Sequence, residues 1–433
     1  MQAIVTTSVA LSILFHPSCG TNDGGTGLNS LVHSGSGDPT QPGDPVDPTK
    51  PVDPDWVTDP ATPVILVTDL RDTVPNYRTI PGTLRWAIET APSPAIIRFA
   101  VSGSIPLTGF MTIRKSNLLI DGGTAPGEGI TVVRYQTDVR DCHDVIIRNM
   151  RFRSGDGFVD DAERRSLHGD YNPFSLTNSG GVRSLVVAGE FGVAENIRIE
   201  NCSIQNSTDD NASVWGDCRN ITFYRCLISG GYNTTIRKGM LCGADPGAPI
   251  PSAPVWVTLS QCLFTEGVIR QPDMIGNTAN IVNTVIVHPA QGGRLQYCKA
   301  NILNNCFFSL PNNSWGDAAD RALVAKDGTW SDQAFHVSGN MLDGALVDKT
   351  VALGIMNKGH QPLPDNAFRP DPHPGAPPVL PASEALLEVM RHAGCEKPAR
   401  DAWDLGVMDR AAQMVNVDPV TGGPYFANDV TSK

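Results

Sequence analysis

The sequence predicts an all-β solenoid, a parallel β-helix, and three observations lead there. First, a phrase of the form apolar, any, apolar, two polar, Cys, any, apolar recurs. It stands as Ile197-Arg198-Ile199-Glu200-Asn201-Cys202-Ser203-Ile204, as Ile221-Thr222-Phe223-Tyr224-Arg225-Cys226-Leu227-Ile228 and as Val257-Thr258-Leu259-Ser260-Gln261-Cys262-Leu263-Phe264. Weaker copies lie at Val145 to Phe152, with Met150 in the Cys place, and around Leu303 to Phe308, with Cys306. Second, alternation over so few residues marks a strand, and its irregular return every few tens of residues marks stacked coils with loops inserted between them. Third, 42 Gly, 34 Pro and only 18% charged residues suit many short strands and turns rather than a helical bundle. A solenoid lengthens by adding coils, so 433 residues need not mean several domains.

The elements follow in chain order. Residues 1–19 form a short apolar segment: Ala3 to Phe15 is apolar but lacks a basic lead, and Cys19 follows His16-Pro17-Ser18. An export or lipid-anchor signal and a buried or partner-bound N-terminus both remain open readings. Residues 20–60 read as a linker, rich in Gly, Ser and Asn and then in repeated Asp-Pro from Asp38 to Pro60. Proline fixes φ and removes donors, so an extended semi-rigid spacer is expected, and residues 1–60 are the expected contact for assembly partners. The β-helix is expected over 61–310, opening near Ile65. Leu84 and Ile88 share a helical face within Thr83 to Glu89, which should cap the open end of the solenoid. Longer loops are expected at 154–182, 230–254 and 266–278. Residues 311–433 read as C-terminal loops and an amphipathic helix from Ala382 to Ala393, ended by Gly394.

Composition also excludes. A net charge of −12 without a dense Lys/Arg block argues against nucleic acid. No apolar run reaches the roughly 18 to 20 residues of a membrane span. The ten cysteines show no zinc spacing. Cys202, Cys226, Cys262 and Cys306 share one place in the repeat, which suggests an inward ladder of free thiols. Cys142, Cys218, Cys242, Cys298 and Cys395 lie off it and are open to pairing. Asn149, Asn201, Asn220 and Asn305, at strand ends, are expected as turn or ladder residues.

Several phrases resemble the pectate lyase family, and its bacterial branch in particular. They are Gly82-Thr83-Leu84-Arg85-Trp86-Ala87-Ile88, Ile97 to Ile105, Ile120-Asp121-Gly122-Gly123-Thr124-Ala125-Pro126-Gly127-Glu128-Gly129-Ile130, Val145 to Asp156, and Leu386 to Gly394 followed by Pro398 to Asp404. The resemblance runs from about residue 60 to 425. It implies a right-handed parallel β-helix with an N-terminal capping helix and a C-terminal helix and loop segment. It also implies an extracellular or cell-surface polysaccharide lyase that cleaves uronic-acid polymers by calcium-assisted β-elimination.

The same resemblance names site residues. Arg270-Gln271-Pro272 matches the family's Arg-x-Pro, making Arg270 the expected base and placing Pro272 at the substrate. With a reference pKa of about 12.5 or above, an arginine serves as base only if its site depresses that value. Lys238 falls where the family carries a lysine to the substrate carboxylate. Asp209 and Asp210 match an acidic pair linked to Ca2+, with Glu200 and Asp156 as further expected oxygen ligands. Three departures appear: Glu200-Asn201 replaces Asp-His, Ser184 replaces an acidic residue, and Ile275 replaces a second arginine. Asp160, Asp161 and Glu190 are the other carboxylates available to a metal. Trp215, Tyr224 and Tyr232 are expected either to stack on sugar rings or to pack the core.

Each residue also has a plainer reading. Arg270 suits a salt bridge, Lys238 a surface position, and Asp209 and Asp210 an ordinary turn. The competing function is a non-catalytic β-helix appendage of a virion or cell surface, used for glycan attachment or assembly, because a β-helix alone does not determine activity.

Overall fold

The computed structural model describes residues 51–73, 80–168, 181–231, 237–243, 255–287, 293–308, 323–325, 334–347 and 379–423. All of them belong to one compact unit, Pro48–Lys433. The apolar segment 1–19, the first part of the linker through residue 50, and Tyr232 lie outside the described residues.

Three strand-bearing faces wind into a right-handed parallel β-helix. The first face contains Met111–Ile113, Thr137–Arg140, the opening halves of Leu185–Glu200 and Asp210–Tyr224, Lys238–Gly243, Asp273–Ile275, Gly293–Gln296 and Leu323–Ala325. The second contains Val64–Val67, Ala95–Phe99, Leu118–Asp121, His143–Arg148, the closing halves of the two long strands, Val255–Ser260, Thr278–Val282, Lys299–Leu303 and Ala334–Ser338. The third runs from Gly103–Pro106 to Asn340–Leu342, and Ala345–Val347 closes it as an antiparallel hairpin. The coils therefore pass the expected boundary at 310.

Each inward row is one column of apolar side chains. Ile97, Ile120, Ile147, Ile199, Phe223, Leu259, Ile281, Ile302 and Val337 are in register on nine successive coils, and all are buried. Burial of such a side chain contributes about 1.5–3 kcal/mol before entropy is counted. At the next corner the backbone turns through a left-handed residue: Asn149, Asn201, Arg225, Gln261, Asn283 and Asn304 all have φ between 48° and 57°. Asparagine tolerates that region, which explains its place in the repeated phrase. On the preceding corner Asn220 donates to Asn196 at 3.0 Å and Asn196 to Asp144 at 3.1 Å, the expected ladder.

The cysteine ladder holds for Cys202, Cys226 and Cys262, which are core residues, but not for Cys306. In that coil the left-handed corner is Asn304, so Asn305 takes the inward place and Cys306 pairs in register with Val285. A slip of one residue reverses the face a side chain presents. Cys306 thus faces outward under the C-terminal helices, donating to the Ala382 carbonyl at 3.2 Å. All nine described cysteines are buried and free, so none of the off-ladder group is paired.

Helices cover what the coils expose. α1 is the short Asp55–Thr58, and α2, Leu84–Thr90, is the expected cap, with Thr83 accepting from the Trp86 amide and Leu84, Ala87 and Ile88 buried. α3, Asp161–His168, lies inside the expected 154–182 loop. α4, Ala382–His392, matches its expected span. α5, Ala402–Val415, was not anticipated. α4 and α5 pack Leu386, Val389, Val407 and Ala411 onto Leu227, Leu263 and Val285 of the third face.

The end of the expected linker is not a free spacer. Asp53 accepts from Arg148 at 2.8 Å and Arg198 at 2.5 Å, while Trp56 and Val57 pack on Ile96, Leu119 and Ile146. The outer side of the second face carries an apolar patch there, and its burial outweighs the extended preference of the Asp-Pro repeat.

Candidate active site

The first face collects charge on adjacent coils. Asp210 opens its strand directly beside Lys238, and Asp273 lies beside Leu241 of the next coil. Neighbouring parallel strands are about 4.8 Å apart, so side chains at matched positions meet. Lys238 Nζ donates to Asp209 Oδ1 at 2.6 Å. Arg270 Nη1 donates to both oxygens of Asp210, at 2.7 and 2.8 Å. The four residues that the sequence singled out are thus one cluster.

Burial gives these pairs their weight. The Asp210 side chain is 0% exposed, Lys238 3% and Arg270 14%. Lys238 is therefore not a surface lysine. Burial pushes the Asp210 carboxyl above its usual range, with Arg270 opposing it. Burial also resists ionisation of Asp209, but Arg183, Lys238 and Arg270 outweigh it and hold that carboxyl below its usual range. For Arg270, burial opposes the charge, yet Asp210, Asp273 and Asp209 prevail and tighten its hold on the proton.

Three members of the cluster escaped the sequence reading. Arg183 Nη2 lies 3.2 Å from Asp209 Oδ2, and its Nε lies 3.6 Å from Asp210 Oδ2. Asp273 lies 3.8 Å from Arg270 Nε and accepts from Arg294 at 2.7 Å. Asp273 directly follows Arg270-Gln271-Pro272 and was legible as the fourth residue of that motif. Arg183 precedes the noted Ser184, and only the coil register aims it at the acidic pair.

Other expected residues lie elsewhere. Glu200 ends a strand of the second face, a corner away, paired with Arg198 at 2.5 Å and Arg148 at 3.4 Å. Asp156 accepts from Asn206, three residues before Asp209. Pro272 is buried at the entry to the Asp273–Ile275 strand. Ser184 turns inward to Ser154 and Gln205. Trp215 is on the first face, half-buried, with the Arg140 guanidinium 5.1 Å from its ring. Tyr224 is 1% exposed and sits under Arg225, which removes it from sugar stacking.

Among the described residues, those around Asp209 and Asp210 do not fit calcium. That ion takes about six to eight oxygens. Among the described residues no three His, Cys, Asp or Glu side chains converge as a metal set. The oxygens of Asp209 and Asp210 are instead taken up by Lys238, Arg270 and Arg183. An ion entering there would have to displace cations already in contact.

Comparison with known proteins agrees with this fold. No family model matches the chain. It is 25% identical over 386 residues to a probable pectate lyase C of Aspergillus fumigatus, covering 85% of this chain and 78% of that protein. A probable pectate lyase C of Neosartorya fischeri is 25% identical over 381 residues, with the same coverage. Among solved structures, the major allergen from cedar pollen superimposes with a TM-score of 0.53 at 15% identity, over 77% of this chain and 89% of that one. A pectate lyase from Bacillus sp. N165 in complex with trigalacturonate gives 0.51 at 13%, over 77% and 94%. The resemblance to the pectate lyase family thus rests on both sequence and fold.

Proposed function

We propose that this chain is a polysaccharide lyase that cleaves a uronic-acid polymer, such as polygalacturonate, by β-elimination. The observation that carries the reading is the convergence of Arg183, Lys238 and Arg270 on one acidic pair, on adjacent coils of a single face. With Asp273 and Arg294 included, four cations meet three carboxylates, which leaves one positive charge for a uronate. A polymeric substrate places the reaction outside the cell. Among the described residues, no helix is long and apolar enough to cross a membrane.

In this reading Arg270 takes the proton α to the sugar carboxylate. The C–H electron pair becomes the new carbon–carbon double bond, and the glycosidic C–O bond breaks. The leaving oxygen keeps that bond's electrons and takes a proton from water. Arg183, with Lys238 behind it on the acidic pair, faces the carboxylate as negative charge builds on it, and both cations are held in place before the reaction begins. Trp215, held under Arg140, offers a ring edge to a sugar further along the same strand.

The lowered pKa expected of an arginine base is not met in the resting site: Asp210 and Asp273 keep Arg270 protonated, so the reading requires alkaline pH or substrate binding to release its proton. Only the neutral guanidine is a base, so the active fraction grows about tenfold per pH unit while pH stays below the arginine pKa. The test is the initial rate of ultraviolet absorbance from the unsaturated product, on polygalacturonate and other uronate polymers, across a pH series. The reading predicts a rate that climbs through the alkaline range without a neutral maximum. A bell centred near neutrality would assign the base elsewhere, and no product on any uronate polymer would refute the lyase.

A further inference from the structure

We infer that Arg183 replaces a metal ion in this site, so that the chain recognises uronate without any divalent cation; this rests on the lyase reading above.

The oxygen inventory carries the argument. Asp209 Oδ1 belongs to Lys238 at 2.6 Å, and Asp209 Oδ2 to Arg183 at 3.2 Å. Asp210 Oδ1 and Oδ2 both accept from Arg270, and Arg183 Nε lies 3.6 Å from Oδ2. The guanidinium of Arg183 thus touches both carboxylates, as a bridging cation would. Its backbone is held from both sides. The Arg183 amide donates to Gln136 at 3.2 Å, the preceding Val182 amide donates to Thr208 at 2.9 Å, and the following Ser184 hydroxyl is buried against Gln205.

Arg183 differs from its neighbours in exposure. Its side chain is 31% exposed, against 3% for Lys238 and 14% for Arg270. A guanidinium is a planar fork with donors on two edges. Arg183 Nη2 is directed at Asp209 and its Nε approaches Asp210, and the remaining donors of this partly exposed guanidinium are the ones proposed to take a sugar carboxylate in charge-assisted hydrogen bonds. Arg183 supplies, beside the acidic pair, the positive charge that a metal ion would otherwise supply to a uronate. Further along the face the cations are neutralised: Arg294 pairs with Asp273, which Arg270 also approaches, and Arg140 pairs with both Glu190 and Asp138.

The experiment uses the full chain, stripped with a chelator, in two arms. Calorimetric titration with calcium alone reads the metal directly, and the lyase assay compares chelator with added calcium. The inference predicts no calcium binding at millimolar concentration and equal rates in both conditions. It also predicts that Arg183→Ala raises KM for polygalacturonate by about tenfold or more, the loss of one charge-assisted contact, with partial rescue by Arg183→Lys. Stoichiometric calcium binding to the wild type, or a rate abolished by chelator and restored by calcium, overturns the inference while sparing the lyase. If no uronate polymer is cleaved, the lyase reading fails, and the calcium titration still decides whether Arg183 excludes the metal. Because Arg183 is partly exposed, its variants are expected to fold, and thermal melting checks that.

Discussion

Two of the arginine–aspartate clusters buried among the described residues differ in balance, and the difference separates a docking role from a proposed binding role. The first ties α5 to the third face: Arg153 donates to Asp401 at 2.7 Å and to Asp404 at 3.0 Å, and Arg151 donates to Asp404 at 3.0 Å. Ser203 also donates to Asp404 at 2.8 Å, and Arg151 to the carbonyls of Glu128 and Ala399. Two arginines meet two aspartates and spare donors reach carbonyls, so the network is balanced and closed. The second cluster is the strip on the first face, where Arg183, Lys238 and Arg270 meet Asp209 and Asp210. With Asp273 and Arg294 it carries one cation in excess, and Arg183 is partly exposed. A balanced network fixes a docking geometry, whereas an unbalanced one is completed by an anion.

The contrast breaks most visibly by removing one carboxylate from the closed network. Asp404→Ala leaves Arg151 and Arg153 buried with fewer partners, and a broken buried pair costs about 3–5 kcal/mol. Denaturant unfolding should show that loss, while the rate per folded molecule stays at the wild-type value. A large fall in turnover without a fall in stability would show that α5 belongs to the site.

The complementary substitution is Arg270→Lys. A lysine keeps an ion pair with Asp210, so stability should change little, but the fork and its basicity are lost. Turnover should fall by roughly 10²–10⁴, the usual contribution of a positioned base. Retained turnover with lost stability would place Arg270 in the same class as Arg153, a structural cation.

The sequence showed the strands and concealed the register. Ile199, Phe223 and Leu259 announce the inward column because the period of two is visible in any short window. Leu84 with Ile88, and Ala382 to Ala393, announce their helices by spacing. Cys306 looked like Cys202 because the position of the corner is a backbone property: Asn304, not Asn305, takes the left-handed turn. α5 was missed because Gly406 and scattered polar residues blur its apolar face, and its stability comes from packing on Val285 and from the Arg151 and Arg153 pairs. Likewise Asp53 looked like one unit of an Asp-Pro repeat until Arg148 and Arg198 were placed beside it.

The site divides in the same way. Arg270, Lys238, Asp209 and Asp210 stood out by resemblance, and the coils bring them together. Glu200 and Asp156 stood out as further carboxylates, but each lies past a corner, with Arg198 and Asn206 as partners. Arg183 carried no signal because a lone arginine before a strand is ordinary. Its meaning comes from lying one coil away from Asp209 and Asp210, a relation that depends on the length of every loop between them.

The most direct measurement is calorimetric titration of an oligogalacturonate into the chelator-treated full chain, at low and at high monovalent salt. An open cationic strip predicts binding with chelator present, weakening as salt screens the charges, and about tenfold weaker in Arg183→Ala. No binding at millimolar ligand at either salt concentration would contradict it.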